Sequence, residues 1–447
     1  MSACGSTRER VRRILALALP IIGGMASQNL LNLIDTVMVG RLGSAALGAV
    51  GLGSMVNWLA SAFFMALGSG VQALASRRTG QSDARGAVDP LHAALVLALA
   101  VVLPCSLLLA GHATWIFARL SRDPAVQALG ADYLAIRLAG AVFLVANFAF
   151  RGYWNGIGRS TVYLRTILLI HAVNIALNGL LIYGTLGFPR LGVRGAAYAS
   201  VIGAAVGTGS YLLRAWRFAR PHGFLHDVWG SARRAGRSVL RLSVPTGVQN
   251  TFLSAGFVLF YRFAGQLGTR ELAISNVLIQ LAMVCLLPSV GFGLAAATMV
   301  GISLGAGQRQ QAACWVRTAV GVAMVAMVVP ATALVLAPRL WLGMLLNDPA
   351  AAACGVVPLV LLAAMQPFDA VGSVLSQALL GAGAVRVVML LSVLLQWGLF
   401  LPGAYGWAIA AGHGLTGLWL AFVLWRLFYA LAMAALFRHG RWAEIAI

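Results

Sequence analysis

The sequence predicts an all-α polytopic membrane protein, with twelve transmembrane helices in two pseudo-symmetric six-helix lobes. Three observations predict it. The 447 residues are 60% hydrophobic and only 10% charged, far from the roughly 25% charged content of a soluble domain. Apolar runs of about 20 residues, enough to span a bilayer core, recur between polar breaks. The chain also matches itself when slid along by 225 residues, the distance from Pro20 to Pro245.

The runs centre near Met25, Ala60, Ala100, Val142, Ala172 and Gly203, then near Gly256, Leu286, Val325, Ala370, Leu399 and Leu424. The first begins after Arg8, Arg10, Arg12 and Arg13, but it is too long and too polar on one face for a signal peptide, so it is expected to be a retained helix. Within it Gln28, Asn29, Asn32, Asp35 and Thr36 fall at i, i+1, i+4, i+7 and i+8, one face of a helix. Asp35 is the sole charge between Leu15 and Val39. A charge at membrane depth costs at least ~2.5 kcal/mol on insertion scales, so such a residue normally faces a protein interior or a wet cavity and has a function.

The basic residues are all arginine. They crowd the N-terminus, the loops after runs two and four (Arg77, Arg78, Arg85; Arg151, Arg159, Arg165) and the stretch from Arg214 to Arg241, while the opposite loops hold few. Arginine excess marks cytoplasmic loops, which predicts both termini inside a bacterial-type inner (plasma) membrane. The formal net charge of +21 then belongs to topology and to anionic lipid rather than to nucleic acid. Cys4, Cys105, Cys285, Cys314 and Cys354 are scattered, odd in number and form no C-x-x-C pair. Neither a disulfide framework nor a metal site is expected from them.

The self-match pairs Gly40 with Gly265, Leu42-Gly43 with Leu267-Gly268, Gly68 with Gly293, Gly156 with Gly381 and Gly158 with Gly383. A three-residue slip then aligns Gly192 and Gly195 with Gly414 and Gly417. So many coincidences in one register indicate duplication. Each half has an even number of spans, so the repeats run parallel about an axis along the membrane normal, an arrangement that usually places a transport site between the halves. The expected organisation is an N-terminal lobe over residues 1–214, a basic cytoplasmic linker over 215–240 and a C-terminal lobe over 241–447.

The halves differ in their acids. At the common offset Asp35 meets Phe260, whereas the second half has Asp369, aligned with Gln366, Ser373 and Gln377 on one face of run ten. Of the eleven acids only Asp35 and Asp369 lie deep in apolar runs. In run five His171, Asn174 and Asn178 share a face; amides inside a membrane can act as helix-packing glue of about 0.6 kcal/mol each. Pro20 and Pro367 lie in the same runs as the two acids, so a bend at either could move a carboxylate.

Desolvation disfavours the charged form of a carboxyl group, so one at membrane depth can serve as a proton switch. A proton and an organic cation competing for it would have coupled fluxes. An intramembrane enzyme would need H-E-x-x-H or a nucleophile turn; Gly301-Ile302-Ser303-Leu304-Gly305 fits the letters of the latter but ends a membrane helix. No phosphate loop is present, so the energy is expected to come from an ion gradient.

The run Ile34-Asp35-Thr36-Val37-Met38-Val39-Gly40-Arg41-Leu42-Gly43, followed by Ala46-Leu47 and Ala49, closely resembles the first-helix motif of the multidrug and toxic compound extrusion family. The likeness extends over essentially the whole chain. It implies that Pro20 is the hinge of the first helix, that Asn174 and Asn178 are the fifth-helix asparagines and that Ser200 is the sixth-helix hydroxyl of a cation site around Asp35. Asp369, in QPFDAVGSVLSQALLGAG, looks like the tenth-helix acid of the sodium-linked branch. That branch has a seventh-helix glutamate, and TFLSAGFVLF here has no acid; another has a fifth-helix aspartate where this chain has Ile182.

The expected activity is export of lipophilic organic cations by a monomeric antiporter in the bilayer, with no cofactor and a proton as coupling ion, sodium being the alternative. Asp35, Asn174, Asn178 and Ser200 would hold the coupling ion. Asp369, Gln28, Asn32 and Gln366 would meet the substrate. A lipid-linked oligosaccharide flippase of the same superfamily would want a basic cavity, and only Arg137, Arg262 and Arg426 lie within spans.

Overall fold

The computed structural model describes residues 6–346, 348–445 and 447, and every regular element among them is helical. In lipid a backbone must satisfy its own hydrogen bonds, and runs this apolar do so as helices. The first six long helices are α1 (Thr7–Gly40), α2 (Ser44–Gly80), α3 (Asp89–Gly111), α4 (Pro124–Ala139 and Ala141–Gly156, bent by 45°), α5 (Ser160–Tyr183) and α6 (Val193–His222). The second six are α7 (Val228–Leu267), α8 (Thr269–Gly305), α9 (Arg309–Leu336), α10 (Pro349–Ala382), α11 (Val385–Ala410) and α12 (Gly414–His439). Ten are long and apolar enough to cross a membrane, eleven with the bent pair α4. The remaining one, α7, is 40 residues long, but Thr246, Gln249, Asn250 and Thr251 lower its hydropathy.

The repeat is visible in the backbone. Short helices Ala113–Leu120 and Pro338–Leu345 precede α4 and α10 in the same register. Gly43 and Gly268 start α2 and α8 with φ of 111° and 149°, which a residue with a Cβ rarely adopts. Gly156 and Gly381 let helices touch: an added Cβ would come within 2.9 Å of Gln72 O and 2.6 Å of Ala297 O, respectively. Small residues at such crossings replace the hydrophobic effect as the source of helix association in lipid. The π turns Ala98–Val102 and Leu395–Phe400 come just before Pro104 and Pro402, where a missing N–H and a ring disturb the α ladder.

Contacts gather the chain into two compact units, Gly23–Gly247 on the one hand and Met1–Ile22 with Val248–Ile447 on the other. Both divisions fall two residues beyond the prolines of α1 and α7, Pro20 and Pro245. Cys105, Cys285 and Cys354 are free, but Cys314 is disulfide-bonded, which the scatter of cysteines did not predict; Cys4 lies outside the described residues.

Residues 215–240, expected as a linker, are largely helical and are clasped to the start of α3 within the first unit. Arg234 donates from Nε to Asp89 Oδ2 at 3.1 Å and from Nη1 to Asp227 Oδ2 at 3.0 Å. The Ser231 hydroxyl donates to Asp89 Oδ1 at 2.6 Å, and Leu225 N–H donates to His92 Nε2 at 3.1 Å. The bond from Arg234, helped by Gly230 N–H, holds the Asp227 carboxyl below the usual carboxylate range. A depressed carboxyl stabilises above its ordinary value of about 4 and stops doing so as pH falls through its lower folded value. Wild-type amide exchange over 224–234 should therefore be slow at neutral pH and rise towards that of Arg234→Ala in acid, after correction for intrinsic rates. Equal exchange in the two proteins at pH 7 would remove the clasp.

Candidate functional site

In the first unit α1 and α5 run side by side and meet through polar side chains one heptad apart. His171 Nε2 lies 3.2 Å from Gln28 Oε1, and seven residues further along each helix Asn178 Nδ2 donates to Asp35 Oδ1 at 2.6 Å. The Tyr183 hydroxyl then donates to the Met38 carbonyl at 2.7 Å. Two turns separate the first pair from the second, so the polar face seen in α1 meets the polar face seen in α5.

The contact with α6 extends the network. Asn178 Nδ2 also donates to Asn174 Oδ1 at 3.0 Å, and Asn174 Nδ2 donates to Ser200 Oγ at 3.2 Å. Turned by half a revolution, the Asn174 amide would donate to Asp35 Oδ1 at 3.0 Å and accept from the Ser200 hydroxyl and N–H, each at 3.2 Å. Asn174 and Asn178 are almost wholly buried, and Asn178 Oδ1 has no hydrogen-bond partner. Asp35, Asn174, Asn178 and Ser200 thus form one connected cluster of neutral donors around one carboxylate. Gln28 is partly exposed and joins Asn32, which is exposed, through a 3.1 Å bond. Pro20 lies inside α1, which continues through it.

The second unit has nothing equivalent among its described residues. Phe260, which stands where Asp35 does in the first half, is fully buried between Phe400 and Trp419, with ring centroids at 5.8 and 5.7 Å. Phe422, three residues short of the common offset from Ser200, packs on Phe400 at 5.7 Å. Aromatic rings fill the place of the polar cluster.

Asp369 and Gln366 are buried on α10. Asp369 already has a cation: Arg426 of α12 addresses its Oδ1 through both Nε and Nη2. Arg426 Nη2 also donates to Ser373 Oγ at 3.3 Å, and the guanidinium lies 5.3 and 5.2 Å from the ring centres of Trp425 and Tyr429. In the sequence Arg426 stands out only as a charge within a span. The signal that would have paired it is its depth, because an arginine and an acid buried in one lobe must each find a partner. Gln249 and Gln396, which carry no such signal in the sequence, donate to Ser392 Oγ at 2.9 Å and to the Leu253 carbonyl at 3.0 Å between α7 and α11.

Two copies of one helical unit, in a chain of membrane-crossing helices, define a multi-pass membrane protein built by duplication. A family model described as MatE matches residues 20–180 and again residues 245–405, the same register as the internal repeat. The chain belongs to the MatE family, whose members are transporters and not enzymes. It is similar to proteins described as probable multidrug resistance protein NorM. That of Thermotoga maritima is 24% identical, covering 98% of this chain and 94% of the relative. That of Xanthomonas campestris is 29% identical, covering 98% and 96%. Among solved structures, a MOP superfamily transporter from Pyrococcus furiosus superposes with a TM-score of 0.88 at 21% identity, covering 98% of this chain and 97% of that one. A crystal structure of MATE in the bent conformation gives 0.86 at 21% identity, with 98% and 99% covered.

Proposed function

We propose that this transporter exports lipophilic organic cations in exchange for protons, and that Asp35 carries the proton. The observation that supports the reading is the Asp35 cluster, a carboxylate in a membrane helix bonded only to neutral amides. Its hydrogen-bond partners are neutral, and the charge of Arg137 acts on it from beyond bonding distance, so the carboxylate stays available to a proton or to an organic cation, one at a time. Proton entry and cation exit are then coupled by competition for a single negative charge.

The amides can serve both states of the acid. When Asp35 is ionised, Asn178 donates to it from Nδ2. When Asp35 is protonated, its O–H needs an acceptor, and a half turn of the Asn178 amide presents the otherwise unpartnered Oδ1. The same half turn relieves the 3.0 Å contact between the two amide nitrogens that arises when Asn174 turns to donate to Asp35. The asparagines therefore follow the charge on Asp35, and Ser200, as donor or acceptor, completes either arrangement. Pro20 is proposed as the point at which α1 bends between the two states. Gln28 and Asn32 are proposed to meet the substrate on the accessible side of α1.

The name shared by the NorM relatives, multidrug resistance protein, supports drugs as substrates and export as direction. The arginine-rich loops support cytoplasmic termini, and each chain is proposed to work alone. The test is efflux of ethidium from liposomes holding the purified protein, under a proton gradient alone and then a sodium gradient alone. Proton-driven efflux with no response to sodium is the expected result. Efflux driven by sodium alone would overturn the reading.

A further inference from the structure

The ion pair between Asp369 and Arg426 has no counterpart in the first half of the chain. Slid back through the repeat, Asp369 falls on Leu144 and Arg426 on Ala204. The same fold is therefore built once with an apolar pair and once with a buried ion pair. Ion pairs buried in this way are in general no more stabilising than well-packed apolar residues, because two desolvation costs offset the Coulomb gain. Stability alone does not account for the pair.

The surroundings of the pair differ from those of Asp35 in kind. Asp35 is held by neutral amides, whereas Asp369 is held by a guanidinium, the one side chain that stays charged at any pH a cell meets. The Arg426 side chain is 15% exposed and that of Asp369 6%, so bulk water screens the contact little. Ser373 takes another guanidinium N–H, and the rings of Trp425 and Tyr429 hold the cation from the sides. An arginine fixed in this way neutralises the acid but, unlike a proton or a metal ion, does not leave with the cycle.

We propose that Arg426 is a tethered cation that permanently fills the cation position at Asp369, so that the exchange cycle uses one coupling cation, bound at Asp35. The proposal rests on the reading of Asp35 given above and assigns Arg426 as a specificity-determining residue. Removing the arginine converts a filled position into a vacant carboxylate, open to a proton or a sodium ion. Removing both members leaves no position at all. At the place of Asp35 the second unit has Phe260, packed between Phe400 and Trp419, so no acid stands there to take over.

The experiment measures the number of cations exchanged per ethidium, from the ethidium gradient that balances an imposed proton or sodium gradient at zero net flux. It compares wild type, Arg426→Gln and the double variant Asp369→Asn/Arg426→Gln in liposomes. Wild type is expected to balance at one cation per ethidium, Arg426→Gln at two, and the double variant at one. An unchanged ratio in Arg426→Gln overturns the proposal, as does a second cation that persists in the double variant. If Arg426→Gln does not fold, the double variant decides, because a folded double variant without gradient-driven export would show that the pair itself takes part in coupling. Wild type that no proton gradient drives would instead overturn the Asp35 reading, while proton-driven wild type with two cations per ethidium would overturn only the role of Arg426.

Discussion

Asp35→Asn is expected to bind ethidium more weakly than wild type and to export none of it under a proton gradient, with efflux falling to the level of protein-free liposomes. The amide has the shape of the carboxyl group but neither its charge nor its exchangeable proton. It can still pair with Asn178, so the substitution trades a charge-assisted hydrogen bond for a neutral one, at a cost of ~1 kcal/mol. The fold should survive that loss. The expected signature is therefore a normal melting temperature, with ethidium binding weakened, as measured by its fluorescence, and transport abolished. Asp35→Asn that still exports ethidium down to the wild-type endpoint would remove Asp35 as the carrier.

Asp369→Asn is expected to be the most destabilising single polar substitution in the second unit. It leaves the Arg426 guanidinium buried without its counter-charge, and breaking one side of a buried ion pair typically costs ~3–5 kcal/mol. The melting temperature in detergent should fall by several degrees for Asp369→Asn and return close to the wild-type value in Asp369→Asn/Arg426→Gln. Coupling of that sign between two sites is the mark of direct contact. Additive losses in the double variant would show that the two side chains do not depend on each other.

These two carboxylates also show what can be read from sequence and what cannot. The stripe Gln28, Asn32, Asp35 needed only helical spacing to be seen, and the face His171, Asn174, Asn178 of α5 likewise. Their meeting follows from two helices that run in the same direction with matched seven-residue steps. The repeat was legible because glycines with positive φ, such as Gly43 and Gly268, and glycines at helix crossings admit no other residue without strain. Periodicity says which face of a helix is polar but not which helix comes to cover it. That is why Asp369 read as a vacant acid on the face of α10 until α12 brought Arg426 to it, 57 residues further along the chain. The clasp of Arg234 on Asp89, 145 residues away, was hidden for the same reason. It also lay within a stretch whose arginines read simply as a basic linker.

Proton release on binding tests the central claim most directly. Purified protein in weakly buffered detergent solution is mixed with a saturating amount of ethidium while a pH electrode follows the bulk. Wild type should release protons as the organic cation takes the charge of Asp35, and Asp35→Asn, at the higher ethidium concentration needed to saturate it, should release none. Equal release from the two proteins would contradict the account, because the proton would then come from another group.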